Sequence, residues 1–131
     1  MPHIRATVTD PDLPADVRRA LAEGLTRLAV SALGKSAART IVHLDLVPAD
    51  RYYVAGKTLA EGARDAHLEV SITAGTNSAA QKAAFISEAA AFLTELLGPL
   101  ARGGVALHEL HPESYGYQGV TQFDHYRLTR N

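Results

Sequence analysis

The chain repeats itself. Residues 2–56 align without a gap on residues 66–120, each position meeting the one 64 further along. Identities fall at His3 and His67, Thr9 and Thr73, Ala15 and Ala79, Ala20 and Ala84, Leu33 and Leu97, Gly34 and Gly98, Ala37 and Ala101, Leu46 and Leu110, Pro48 and Pro112, and Tyr53 and Tyr117. Like-for-like exchanges, such as Ile4 with Leu68, Val8 with Ile72 and Asp45 with Glu109, fill the spaces between them. Scattered Ala and Leu matches arise by chance, but paired glycines, paired prolines and a shared apolar periodicity together point to a duplicated unit. With 131 residues and 47% hydrophobic content, two such units make a single domain, 1–131, that ends in a tail at 121–131.

Each unit reads strand, helix, strand and a turn-rich end. Ile4, Ala6 and Val8 alternate with His3, Arg5 and Thr7, the two-residue period of a strand with one buried face. Pro14 suits a first helical turn, Val17, Leu21, Leu25 and Leu28 recur at three- and four-residue steps, and Gly34 supplies the stop. In the second unit Leu68, Val70 and Ile72 alternate with His67, Glu69 and Ser71, and Ser78 with Gln81 spells a capping box. Phe85, Ala89, Phe92 and Leu96 form a stripe that ends at Gly98. Closing strands fall at about Thr40–Val47 and Val105–His111. Two strands joined through a helix pair in parallel, so the expected fold class is α/β (α+β): two tandem βαβ units in one four-stranded mixed sheet, with both helices on one face. The other face would carry His3, Arg5, Thr7, His43, Asp45, His67, Glu69, Ser71, Glu109 and His111, a polar surface suited to the interior of an oligomer.

Charge and composition exclude several classes. Thirteen basic against fourteen acidic residues give a net charge of -1 with no basic block, which argues against a nucleic-acid partner. The absence of cysteine excludes disulfide and thiol chemistry. No apolar run reaches the ~18 residues of a membrane span, and no signal peptide opens the chain, so no membrane partner is expected and the expected location is cytoplasmic. The six histidines, His3, His43, His67, His108, His111 and His125, lack metal-ligand spacing, so neither a metal nor another cofactor is expected. The densest group is His108, Glu109 and His111.

Pro2 is a candidate base. Behind an initiator Met that a small second residue allows to be removed, it would leave the mature chain with a secondary amine at the head of a strand. An α-amino group titrates at roughly 7.7 to 8.0, so burial or a nearby cation would leave it neutral and basic near physiological pH. The structural reading is that Pro is tolerated at the first residue of a strand.

Pro2 at the start of a duplicated βαβ chain, with the opening Pro2-His3-Ile4, the strand 41–47 followed by Pro48, the hairpin Tyr52-Tyr53-Val54-Ala55-Gly56 and its counterpart Tyr115-Gly116-Tyr117-Gln118-Gly119, resembles the tautomerase superfamily. That group includes 4-oxalocrotonate tautomerase and macrophage migration inhibitory factor. The resemblance implies a homotrimer of duplicated subunits acting on a small-molecule substrate, an enolisable 2-oxo or enol acid. The amino-terminal proline takes a proton as general base and returns it as acid. Two readings stand beside this one: a non-catalytic trimeric binding module of the same fold, and a hydratase or decarboxylase with a cationic proline.

The substrate-clamping arginines depart from the family pattern. Their places fall at Asp12 and Ile41, the second-unit arginines of a related dehalogenase fall near Ala74 and Asn77, and its acidic water-activating residue has no counterpart before Tyr115. The hairpin phenylalanine of 4-oxalocrotonate tautomerase corresponds to Tyr52. Candidate substrate-binding residues are therefore His43, which shares strand parity with Ile41, Asn77 at the mouth of the second helix, and Tyr52 and Tyr117 as hydroxyl donors. Each has a structural alternative as an interface, capping or packing residue. Arg5, Arg51, Arg64 and Arg127 are possible carboxylate clamps. Ala66 takes Pro2's place in the second unit, where its nitrogen is an amide, so a trimer would hold at most three proline sites. The tail caps the Pro2 pocket or clips subunits together.

Overall fold

A computed structural model describes residues 1–130; Asn131, the end of the expected tail, lies outside the described residues. The first half runs β1 (His3–Val8), α1 (Ala15–Leu33) and β2 (Ile41–Leu46), then a hairpin of β3 (Tyr53–Val54) and β4 (Lys57–Thr58). The second runs β5 (Ala66–Thr73), α2 (Ala79–Leu97) and β6 (Gly104–Leu110), then a hairpin of β7 (Gly116–Tyr117) and β8 (Val120–Thr121), and closes with α3 (Gln122–Arg130). Pro14 stands just outside α1 with extended ψ, and Gly34 ends the helix at φ 68°, a left-handed turn whose N–H bonds the Val30 carbonyl at 3.0 Å. At α2 both arms of the Ser78–Gln81 capping box are formed.

The sheet has the order β2-β1-β5-β6, with β1 parallel to β2, β5 parallel to β6, and β1 antiparallel to β5. Arg5 lies opposite Glu69, its mate 64 residues on, so an approximate twofold axis passes between them and relates the halves. The fully buried strand residues Ile4, Ala6, Val8, Leu68, Val70 and Ile72 face the helices. The helix rows that meet them are Leu21, Leu25, Ala29 and Leu33, and Phe85, Ala89, Leu93 and Leu97. Burying one such Leu or Phe contributes about 1.5–3 kcal/mol. Val17, Leu28, Phe92 and Leu96, expected in the stripes, flank these rows half-buried, because the four-residue rows face the sheet while the two helices pack along their sides.

The gapless repeat slips once. Arg5 pairs with His43, but Glu69 pairs with Ala106, and Tyr53–Val54 corresponds to Gly116–Tyr117. Past the helices the halves are therefore 63 residues apart, the α2–β6 connection being one residue shorter than its counterpart. A one-residue shift moves every side chain of a strand to the other face. Glu109, expected on the polar face, instead lies opposite buried Ile72 on the helix side, where Lys82 donates to it at 2.7 Å. His108 and Glu109 consequently point to opposite sides, and His111 lies beyond the end of β6. The polar face itself holds an Arg5–Asp45 ion pair at 2.7 Å and His67 beside Glu69 at 3.7 Å.

Candidate active site

The register at the start of β1 places the proline. The Pro2 carbonyl accepts the Ile41 N–H at 3.1 Å, extending the β1–β2 ladder by one step, and the pyrrolidine ring is fully buried. Met1 lies in front of it and lines a cavity of about 360 Å³ with Ala38, Arg39, Ile41, Tyr115, Tyr117, Gln122, His125 and Tyr126. The first unit therefore supplies the floor, and the second hairpin and α3 supply the wall.

Local turn chemistry holds that wall. Gln118 and Gly119 both adopt positive φ, 52° and 80°, making a two-residue hairpin turn that turns Tyr117 back toward α3. Tyr117 and His125 stack with ring centroids 3.9 Å apart and planes 10° from parallel, and His125 Nε2 lies 3.0 Å from the Tyr117 carbonyl. The Gln122 N–H donates to the Tyr115 carbonyl at 2.8 Å, and its side-chain oxygen accepts the Thr73 hydroxyl at 2.8 Å. Helix α3 is thereby tied to the end of β5, beside the amino terminus.

Electrostatics favour a neutral amine at this end. Burial, followed by the positive charges of Arg39 and Lys35, lowers the pKa of the Met1 α-amino group below its ordinary value. Lys35 is itself lowered by burial and donates to the Thr76 hydroxyl at 2.8 Å.

Of the residues expected at the site, Tyr117 lines this cavity, while Pro2 is buried next to Met1 and is not part of the lining. His43 stands on the exposed polar face, edge-on to His3 with ring centroids 6.5 Å apart. Asn77 ties the start of α2 to the end of α1 by donating to the Leu33 carbonyl at 2.9 Å. Tyr52 lies at the opposite end of the sheet, its hydroxyl donating to Asp65 at 2.6 Å. Of the four arginines considered as clamps, Arg5 pairs with Asp45, Arg64 with Asp10 and Arg127 with Asp124. Arg51 is exposed.

The guanidinium at the cavity is Arg39, which the sequence reading passed over, together with Tyr115, Gln122, His125 and Tyr126. The slip explains part of the miss: with the halves 63 residues apart, Tyr115, not Gly116, is the counterpart of Tyr52. The other three belong to the tail beyond the repeat, where no internal comparison reaches.

Known proteins share this fold. A family model described as tautomerase enzyme matches residues 2–62. A probable tautomerase K2 of Dickeya dadantii (strain 3937) is 33% identical over 61 residues, which cover 47% of this chain and 91% of that protein. The chain belongs to the tautomerase family. Its fold also matches solved structures along almost its whole length. A fused 4-OT wild type asymmetric trimer superposes with a TM-score of 0.83 at 21% identity, covering 95% of this chain and 99% of the other. The protein Pt0534 inactivated by 2-oxo-3-pentynoate also gives 0.83 at 21% identity, over 94% and 98%. In this tautomerase-family chain the family match spans Pro2, Arg39 and Ile41, whereas Tyr115 and α3 lie outside it.

Proposed function

We propose that the chain, once Met1 is removed, is a tautomerase in which the Pro2 nitrogen is the general base. The observation that carries this is the amino terminus itself. Met1, whose α-amino group is lowered in pKa by burial and by the charges of Arg39 and Lys35, lines a cavity beside Arg39, and its removal would open the Pro2 nitrogen to that same surrounding. A 1,3-proton shift needs one group with a pKa near working pH and a donor for the oxyanion that forms. The neutral amine takes a proton from the enol oxygen or from the carbon next to a 2-oxo group, and the electron pair moves through the enolate. The resulting ammonium returns the proton at the other end, so the nitrogen finishes neutral. Arg39 holds the enolate oxygen or the acid's carboxylate, Tyr115 adds a hydroxyl donor, and the Tyr117–His125 stack forms the flat wall against which a planar enolate lies.

The substrate class is a small enolisable 2-oxo or enol acid. Arg39 and Lys35, cations that act on the terminal amine at this end, disfavour a charged proline and so support this over the hydratase or decarboxylase reading, which needs a cationic one. The same reading takes residues 1–131 as one cytoplasmic domain with duplicated units at 2–56 and 66–120, assembled as a homotrimer. Intact mass and ketonisation of phenylenolpyruvate test it. The Met-free protein accelerates ketonisation, and Pro2→Ala, which replaces the secondary amine with a primary one of different geometry, loses most of the rate. An unchanged rate in Pro2→Ala, or no activity in protein shown to lack Met1, rejects the mechanism.

A further inference from the structure

The second half ends in a pocket as well, and the chain fills it. The approximate twofold carries Met1 onto Asp65 and Pro2 onto Ala66. After the one-residue slip it carries Arg39 onto Arg102 and Tyr115 onto Tyr52. The residues around Asp65 are thus counterparts of residues that line the cavity at Met1.

Asp65 is 0% exposed and still carries a carboxylate. One oxygen accepts the N–H groups of Arg102 at 2.9 Å and Gly103 at 2.8 Å, and the other accepts the Tyr52 hydroxyl at 2.6 Å. Its backbone is clamped to Thr9, whose N–H donates to the Asp65 carbonyl at 3.1 Å and whose hydroxyl accepts the Asp65 N–H at 2.9 Å. In the first half the corresponding N–H groups, of Arg39 and Thr40, are turned onto the carbonyls of Ser36 and Ala37. The shorter α2–β6 connection leaves those of Arg102 and Gly103 free to converge on an anion. Two backbone N–H groups and one hydroxyl, pointed at a planar anion and shielded from water, are the donor set of a carboxylate site. Burial pushes the Asp65 carboxyl up, but the bonds from Tyr52, Gly103, Arg102 and Ala66 outweigh it and leave the pKa below its ordinary value.

We propose that this end of the second half is a carboxylate-binding pocket whose resident ligand is the Asp65 side chain, and that a small free monocarboxylate, formate or acetate, enters it when that side chain is cut back. The pocket carries no base, since the nitrogen in the proline's place is the Ala66 amide. It is a binding site without chemistry, and its occupation leaves each chain one open site.

Asp65→Ala tests this, with thermal unfolding followed in sodium formate and in sodium chloride at matched ionic strength and fixed protomer concentration. The variant's Tm falls by on the order of 10 °C in chloride, because three donors are left facing an apolar gap. Formate restores part of the loss saturably, as a ligand that binds only the folded state must. Acetate, one methyl larger, restores less. Adding Tyr52→Phe to Asp65→Ala removes most of the formate response, while wild type and Asp65→Asn, whose second pocket is full, gain no more from formate than the open cavity beside Arg39 supplies, the same small amount in each. If Asp65→Ala is soluble only when produced in formate, the proposal holds. Insolubility in both salts, no gain over chloride in the folded variant, or an equal gain in wild type overturns it.

Discussion

Gly24 lies inside α1, where a glycine costs about 1 kcal/mol relative to alanine, so Gly24→Ala should stabilise the helix unless the neighbouring helix forbids it. It does. A Cβ built on Gly24 would sit 2.1 Å from Cζ of Phe92 and 2.4 and 2.8 Å from its two Cε atoms. Carbon contacts begin near 3.5 Å, so the ring must retreat by roughly 1.4 Å. Overpacking of this kind costs about 1–3 kcal/mol, and the half-buried ring, free to swing partly toward solvent, places the cost at about 2 kcal/mol. Against the gain in propensity, Gly24→Ala is a net loss of about 1 kcal/mol. In a Phe92→Ala background the obstruction is gone and the same substitution gains about 1 kcal/mol. The coupling between the two sites is therefore about 2 kcal/mol, well above the ~0.5 kcal/mol expected of independent positions. Urea unfolding of the four proteins at one protomer concentration, with matching m-values, measures it. If Gly24→Ala stabilises both backgrounds equally, the helix contact is not what requires glycine.

Four further outcomes follow from the two pockets. Arg39→Ala removes a positive charge that lowers the amine's pKa, so that pKa rises; since only the neutral amine is a base, the acid limb of the pH–rate profile moves to higher pH, and an unmoved limb rejects the contact. Tyr52→Phe leaves the buried Asp65 carboxylate one donor short and costs about 1–2 kcal/mol in chemical denaturation, whereas no loss would mean the 2.6 Å bond carries no weight. Burial, the bond to Asp65 and its charge push the Tyr52 hydroxyl from 10.0 up to about 12. A raised folded pKa gives stability that is complete below pH 10.0 and lost as pH rises toward 12, so the wild type weakens over that interval and Tyr52→Phe loses this part of the slope. At the acid end the lowered Asp65 pKa has the opposite sign: its stability is present above the ordinary value of 3.8 and is lost as pH falls through the folded value.

The strands, the helices and their caps were legible because each rests on short-range chemistry. The two-residue alternation of Ile4, Ala6 and Val8, the Gly34 stop and the Ser78–Gln81 box act within a few residues of chain. Pro2 was legible as a candidate base because its chemistry depends on being second in the chain and at the head of a strand. The face of Glu109 was misread, since a single residue missing between α2 and β6 leaves the sequence match nearly intact while reversing which side of the sheet that strand presents. His43, Asn77 and Tyr52 were reasonable polar candidates that the chain directs to an exposed face, a helix junction and the far pocket.

By itself, then, the sequence determined the duplicated strand–helix–strand plan, the buried faces of β1 and β5 and the residue at the amino terminus, all of which follow from local periodicity and from chain order. Only the tertiary structure decided which residues stand around that terminus. Arg39, Tyr115, His125 and Gln122 come from segments up to 124 positions away from Met1 and converge because β1 pairs with β2 and β5 while α3 returns to the end of β5. The filling of the second pocket was likewise settled in space. Nothing local marks Asp65 as different from any surface aspartate until the N–H groups of Arg102 and Gly103 and the hydroxyl of Tyr52 meet on its carboxylate.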